Sequence, residues 1–563
     1  MAALASAQTS YENVIVEKDV AIPTRDGHVL RCNIFRPRQG TAPAILSVSP
    51  YGKDMLMSEA DPWEYRLCAQ RGPDMIYERL HGPTWAGHGY AVVHIDMAGS
   101  GASEGVIDPW SARDADHYAD AVEWAANQPW STGKVGLAGL SYHSMTQPPV
   151  AARKPKGLAC LLMWEVGYDY YRLVHDGGVF TANFVDWWWR LWVLRTQNGV
   201  GKLSDEQLAA NRVDWEKLMR EHTLLDDWWK ERIADPRDVD VPFLTVANWC
   251  GVPVSTVSEF PLFKNASSKH KWLRVITGKH VKPMYDADSL LVQKRFLDYW
   301  LKGVDNGLLD TPRVQYVVRH RDGQTEWKSD EQWPLSQTKW TQLHLDATNM
   351  TLDWEPPHAA SSASYHNEPD EGMWLPAGTY DMYLENLTKE TRREGSSIRF
   401  TSKPFRSSME ITGPLNLTVQ VSVEGTDDTD VFVTLRYISR DGYEVLFDGI
   451  LDSPNLPVTS AVLRASHRAL DEATSTFHSP VHPHDAEQLL KAGQMYELQI
   501  AVGPTSVVVE EGGRLVVEIG SRNGENTFCY LRNDPGTRKM GGKVTVHTGP
   551  DHRSSILLPV QEA

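Results

Sequence analysis

Apolar positions follow three different patterns along the chain. From residue 13, "NVIVEKDVAIPTRDGHVLRCNIFRP" alternates apolar and polar residues on either side of Asp26-Gly27, which predicts a β-hairpin. The alternation then gives way to near-continuous apolar runs. These are "PAILSVSPY" (43–51), "YAVVHIDMAG" (90–99), "KVGLAGLS" (134–141), "GLACLLMWE" (157–165), "VDVPFLTVANW" (239–249) and "KWLRVITGKH" (271–280). Such runs suit parallel strands buried on both faces. Between them, "DADHYADAVEWAANQP" (114–129) has helical spacing and stops at Pro129. "SMTQPPVAARKP" reads as a short helix limited by Pro148 and Pro149, and "SLLVQKRFLDYWLKG" (289–303) as an amphipathic helix ending at Gly303. Strands alternating with helices predict an α/β fold with a parallel sheet.

Two stretches break that rhythm. Residues 166–238 are helical in pattern: "TANFVDWWWRLWVLRTQ" and "SDEQLAANRVDWEKLMREH", the second capped by Ser204 with Glu206 in its first turn. After "WPLSQTKW" (333–340) only short alternating stretches recur, such as "NLTVQVSVEG", "VFVTLRYIS" and "RLVVEIGS", between Gly, Asp and Pro turns. They predict a jelly-roll β-sandwich. The expected organisation is a catalytic α/β domain over 1–165 and 239–335, a helical cap over 166–238, and an all-β domain over 336–563.

Composition narrows the function. With 563 residues, 41% hydrophobic and 23% charged, the chain has the make-up of a globular protein large enough for several cores. A diffuse net charge of −17, with no basic run, argues against nucleic acid and anionic membrane as partners. No apolar run reaches the length of a membrane span. The start, "MAALASAQTSYENVIVEKD", has neither a charged n-region nor an apolar h-region, so no signal peptide is predicted. Five scattered cysteines (Cys32, Cys68, Cys160, Cys250 and Cys529) form no CxxC pair and read as free thiols in a cytoplasmic protein. The sequons at Asn265, Asn349, Asn386 and Asn416 are then idle. Tryptophan is abundant, with 21 copies, and many fall between 124 and 249, which predicts a wide apolar interior or an aromatic pocket.

The chemistry centres on "GKVGLAGLSYHS". A buried strand ending in Gly-x-Ser and running into a helix is a nucleophile elbow. Gly139 permits the sharp turn, and the turn lifts the Ser141 hydroxyl beside free N–H groups at a helix start. A serine that merely caps a helix is the competing reading. His143 stands where the usual motif has a glycine. It follows Ser141 too closely within one turn to aim at the hydroxyl, and is expected to line the pocket. In this kind of fold the triad runs Ser, acid, His. His280, between the strand 271–280 and the helix 289–303, therefore stands as the general base.

Together "SPYGKD", "GYAVVHIDMAGSGASEG", "AVEWAANQPWSTGKVGLAGLSY" and "FLDYWLKGVDNGL" resemble the cocaine-esterase and X-Pro dipeptidyl-peptidase family of α/β-hydrolases, the CocE/NonD hydrolases. The resemblance covers nearly the whole chain. It implies cleavage of esters or amides through an acyl-enzyme on Ser141, with no metal or other cofactor. It places an oxyanion-donating hydroxyl on Tyr51 and a second donor on the backbone N–H of Tyr142. From its own context alone Tyr51 reads as a core tyrosine, and the donor role rests on the resemblance.

The acid departs from the family pattern. The family carries an Asp after the strand that falls here at "VPFLTVANW", but this chain reads "NWCGVPVSTVSE", with Cys250 and Gly251 in its place. The sequence therefore predicts either a displaced carboxylate, with Glu259, Asp286 and Asp288 as candidates, or a neutral acceptor such as Asn248, the latter favoured. The expected substrate is a bulky apolar or aromatic small molecule, held by His143, Trp164, Trp187, Trp188, Trp249 and Cys250. The alternative is a non-hydrolytic, C–C bond-cleaving or cyclising enzyme of secondary metabolism that uses a Ser–His pair without the acid. A non-catalytic protein on a decayed scaffold is the third reading, and retention of Ser141, His280 and Tyr51 speaks against it. The partner is a small molecule, with a homodimer left open. His478, His482 and His484, spaced by prolines, are expected in a solvent-exposed loop rather than around a metal.

Overall fold

The computed structural model describes residues 11–562 apart from residues 166 and 257 and the segments 198–202, 252–255, 368–394, 451–455 and 522–535. Cys529 and Asn386 lie outside the described residues. The hairpin pairs β1 (Val14–Pro23) with β2 (Val29–Pro37), and its register slips between Glu17 and Val20. The apolar runs become β3 (Ala42–Ser49), β4 (Ala91–Asp96), β5 (Ser131–Leu140), β6 (Leu158–Trp164), β7 (Phe243–Asn248) and β8 (Lys271–Ile276). A further hairpin, β9 (Val314–Arg319) and β10 (Thr325–Asp330), closes the far edge.

Pairing gives the order β1-β2-β4-β3-β5-β6-β7-β8-β9-β10. The seven strands from β4 to β9 run parallel, so both faces must be covered by helices, and this is why those strands are apolar throughout. Helix α1 (Ala112–Ala126), capped by the Ser111 hydroxyl, is among those that cover it. Helix α2 (Ala287–Leu297) runs on through one wider turn to Gly303, which takes φ +71° as a left-handed C-cap.

The insertion is helical, as its pattern predicts, but more broken. Ala182–Trp188 continues through a wide turn into Leu194–Gln197. The second predicted helix splits into Asp205–Ala210, which starts with a capping box of Ser204 and Gln207, and Trp215–Glu221, capped by Asp214. The break falls where Asn211 and Val213 hydrogen-bond to Ile107 of the catalytic domain. The tertiary contact overrides the local helical pattern there. The C-terminal region is all β around the long strand Met409–Glu424, antiparallel apart from the short pairing of residues 351–352 with 401–402, with a core of its own. The histidine-bearing loop is not in solvent as predicted: His482 and His484 are buried. Leu225 of the cap donates to the His484 carbonyl, and the His484 ring packs 5.4 Å from that of Tyr171. Nearby, Arg464 donates its N–H to the carbonyl of Gly177, the tip of a cap hairpin formed by residues 175–180. No described helix is long and apolar enough to cross a membrane. Cys32, Cys68, Cys160 and Cys250 are buried free thiols.

Candidate active site

Strand β5 delivers Ser141 into the turn before the helical residues Tyr142–Met145, at φ +61° and ψ −120°. The conformation is strained for a side chain with a Cβ, and neighbours hold it in place. The Ser141 N–H donates to the Trp164 carbonyl at 2.9 Å, and its own carbonyl accepts from Ser144 and Met145. Gly139 is needed for packing: a Cβ there would lie 2.3 Å from the Cβ of His143 and push the helix off the strand.

The Tyr51 hydroxyl lies within hydrogen-bonding reach of Ser141 and accepts the indole N–H of Trp188 at 2.8 Å. Burial holds this phenol well above its ordinary pKa, so it stays a donor. Tyr142 is the first helical residue, and its N–H has no intrahelical partner. Its side chain is spent elsewhere. The Tyr142 hydroxyl donates to Asp114 at 3.0 Å, a carboxyl that burial pushes up to about 7 against that hydrogen bond.

His280 follows β8 and is 6% exposed. The segment after it is anchored by Glu64, whose carboxylate accepts the backbone N–H groups of Val281 (2.8 Å) and Lys282 (2.6 Å). His280 Nδ1 lies 2.9 Å from Oε2 of Glu165, so the acid is not vacant and the preference for a neutral acceptor is overturned. None of the three expected carboxylates serves. Asp286 pairs with Lys282, Asp288 with Arg274, and Glu259 opens the helix Glu259–Asn265. Asn248 acts one bond further out. Its Nδ2 donates to Glu165 Oε1 (3.0 Å) and to the Gly278 carbonyl (3.1 Å), while its Oδ1 accepts from the Cys250 N–H (3.0 Å). Glu165 sits at φ +47° just past β6, one strand from the nucleophile rather than two.

A second carboxylate, Glu78, lies 3.3 Å from the other ring nitrogen, Nε2. It comes from the loop before β4, at φ +57°, and its carbonyl accepts the Leu140 N–H at the end of β5. Burial raises both glutamates, and their hydrogen bonds to His280 oppose it. On His280 burial alone would depress the pKa; the two carboxylates outweigh it and hold it well above the usual range. Of the eight non-glycine residues described at positive φ, Glu78, Trp110, Ser141 and Glu165 meet at this one place.

These groups border one small cavity, with about 40 Å³ open to the centre of a water molecule and so room for only a few waters. Tyr51, Glu78, Ser141, Tyr142, Trp187, Trp188 and His280 line it. The other expected pocket residues lie elsewhere. His143 is fully buried under the elbow, edge-on to Tyr51, because its helix turns it into the protein. Trp164 ends β6 with its carbonyl on Ser141. Trp249 donates to the Val317 carbonyl and stacks on Phe260, and Cys250 contacts Thr277. Sequence reasoning missed Glu78, Glu165 and the cavity residues Trp110 and Trp192. Glu165 carried a signal, a lone charge terminating a buried strand; Glu78 sits in "IYERL" with no pattern around it.

Known proteins resemble this chain in sequence and fold. Residues 26–282 match the model of the X-Pro dipeptidyl-peptidase (S15) family, and 306–557 that of the X-Pro dipeptidyl-peptidase C-terminal non-catalytic domain. Cocaine esterase from Rhodococcus sp. (strain MB1 Bresler) is 24% identical over 97% of this chain and 99% of its own. A putative serine esterase from Mycobacterium bovis is 23% identical over 96% and 94%. The crystal structure of a CocE/NonD family hydrolase from Staphylococcus aureus superposes with a TM-score of 0.86 at 30% identity, covering 98% of this chain and 94% of that one. An α-amino acid ester hydrolase shares the fold with a TM-score of 0.66 at 18% identity. Likeness at this identity along nearly the full length of both chains makes this protein a member of the CocE/NonD family of α/β-hydrolases.

Proposed function

We propose that the protein is a serine esterase that cleaves esters or activated acyl groups of bulky apolar or aromatic small molecules through an acyl-enzyme on Ser141. One observation carries the reading: Ser141, presented at φ +61°, shares a cavity with the Tyr51 hydroxyl and with His280, which is held by Glu165. In this mechanism the Ser141 proton passes to His280 Nε2 as Oγ attacks the acyl carbon. The Nδ1–H bond to Glu165 fixes the tautomer and stabilises the imidazolium. The oxyanion is received by the Tyr51 hydroxyl and the Tyr142 N–H, each worth about 2.7–4 kcal/mol of barrier. The aromatic faces of Trp110, Trp187, Trp188 and Trp192 favour an apolar or aromatic acyl or alkoxy group, which enters the roughly 40 Å³ cavity as these side chains move apart. Glu165 on His280 leaves the acid-free alternative without a motive.

The test is labelling with a fluorophosphonate. Wild type is expected to be modified at Ser141, identified by peptide mass, and Ser141→Ala to lose both labelling and ester turnover while melting at the same temperature. A wild type that stays unlabelled, or a Ser141→Ala variant that retains more than a few per cent of turnover, overturns the reading.

A further inference from the structure

A hydrolase triad needs one carboxylate, and His280 has two. Glu165 accounts for Nδ1. Glu78 has no role in that scheme, yet it lines the cavity with Ser141 and stands 3.3 Å from Nε2, the nitrogen that must face the reacting oxygens. It is only 2% exposed, and its side chain is held by Tyr77 as well as by His280.

We propose that Glu78 is a catalytic general acid that protonates the departing oxygen of the substrate during acylation. The inference rests on the esterase reading. Nε2 has to reach both the nucleophile and the leaving oxygen in turn, so a carboxyl in contact with Nε2 and open to the same cavity stands beside the leaving group. Three charges cannot persist together in a dry site. Burial raises both carboxyls. Glu165 stays charged against the Nδ1–H and the Asn248 amide, and Glu78 carries the proton because it faces the cavity and Nε2, the nitrogen that must be free to receive the Ser141 proton. The step balances as follows. Ser141 Oγ–H gives its proton to Nε2, and the Oγ–acyl bond forms. The bond from acyl carbon to leaving oxygen then breaks, and that oxygen takes the proton from the Glu78 carboxyl. The imidazolium Nε2–H passes its proton across the 3.3 Å gap to the Glu78 carboxylate, which restores both groups. Lysozyme-type sites separate two carboxyl groups by environment in the same sense.

The experiment compares two esters of one acid, p-nitrophenyl phenylacetate and methyl phenylacetate, with wild type, Glu78→Gln and Glu78→Asp. A nitrophenolate leaves without a proton and methoxide does not. General acid catalysis contributes about 10²–10⁴-fold. Glu78→Gln is therefore expected to lose at least 10²-fold in kcat/KM on the methyl ester, and its aryl-to-methyl ratio is expected to rise at least tenfold over wild type. Glu78→Asp, which keeps an acid, is expected to recover part of the methyl-ester rate. Fluorophosphonate labelling of Ser141 in Glu78→Gln checks that the site is assembled. Equal losses on both esters, or no loss on the methyl ester, overturn the assignment while leaving the esterase reading intact. So does a wild type that cleaves only the aryl ester. A wild type that cleaves neither and resists the fluorophosphonate takes down the esterase reading and this inference with it. A Glu78→Gln variant that neither folds nor labels shifts the comparison to Glu78→Asp, where a loss on the methyl ester exceeding that on the aryl ester supports the acid, and equal losses on both esters or no loss on either refute it.

Discussion

Replacing Glu165 with glutamine tests the acid with a worked consequence. The amide is isosteric, but one of its two ends becomes a donor, and the neighbours decide which end faces which. Glu165 Oε1 receives the Asn248 Nδ2–H at 3.0 Å. Asn248 cannot turn over, because its Oδ1 is fixed by the Cys250 N–H and its Nδ2 by the Gly278 carbonyl. The introduced amide must therefore point its oxygen at Asn248 and its NH₂ at His280 Nδ1. That nitrogen can then only accept, so the ring proton moves to Nε2 and the base is in the wrong tautomer. The loss in kcat is expected to be roughly 10⁴-fold, as for a neutralised triad acid elsewhere. The decisive measurement is the double variant Glu165→Gln/Asn248→Ala. With the asparagine gone, the glutamine is free to turn its oxygen to Nδ1, and activity is expected to rise at least tenfold above Glu165→Gln alone. Steady-state hydrolysis of p-nitrophenyl phenylacetate, with active sites counted by fluorophosphonate, reads both. A double variant no better than the single one refutes the tautomer argument, and a single variant within tenfold of wild type refutes Glu165 as the acid.

Two further predictions follow from the same structure. Tyr51→Phe is expected to lower kcat by about 10²–10³-fold with KM little changed, since the phenol acts on the oxyanion; a change confined to KM would make it a substrate contact instead. Stability is expected to fall below pH 6.5, because burial pushes His175 down to about 3 and His467 to about 4. Both stay neutral when folded and take up protons when unfolded, so each costs up to about 1.4 kcal/mol per pH unit as pH drops from 6.5 towards 4. Between pH 6 and pH 5, urea unfolding is expected to show about 1.2 kcal/mol less pH dependence in His467→Gln than in wild type, and an identical dependence would refute the assignment.

Much of this site was written in the chain. The apolar runs give the parallel strands because a strand buried on both faces tolerates little else. Gly139, Ser141 and His280 are legible because strand-to-helix turns fix where side chains emerge. Glu165 escaped because triad order places the acid by sequence, whereas a hydrogen bond depends on height above the sheet. The ends of β6 and β7 stand side by side, so either strand can present a carboxylate to the same imidazole. Glu78 depends on how an irregular loop lies across β5, and no periodicity encodes that. Of the tryptophans expected in the pocket, Trp187 and Trp188 line the cavity, whereas Trp164 and Trp249 are buried away from it, Trp249 with its indole N–H on the Val317 carbonyl.

The tip of the cap hairpin meets the β-sandwich at Gly177, where a Cβ would fall 1.9 Å from the Val462 carbonyl oxygen. Val179 of the same hairpin shares a small apolar cluster with Phe432 and Val462. The roof of the active site is thus seated on the C-terminal β-domain, none of whose described residues lines the cavity. For anyone breeding new specificities, the two domains form one unit of inheritance. Swapping the cap between relatives without residues 462–467 and 482–484 would bring a roof without its footing, and shuffled libraries should place their crossovers elsewhere.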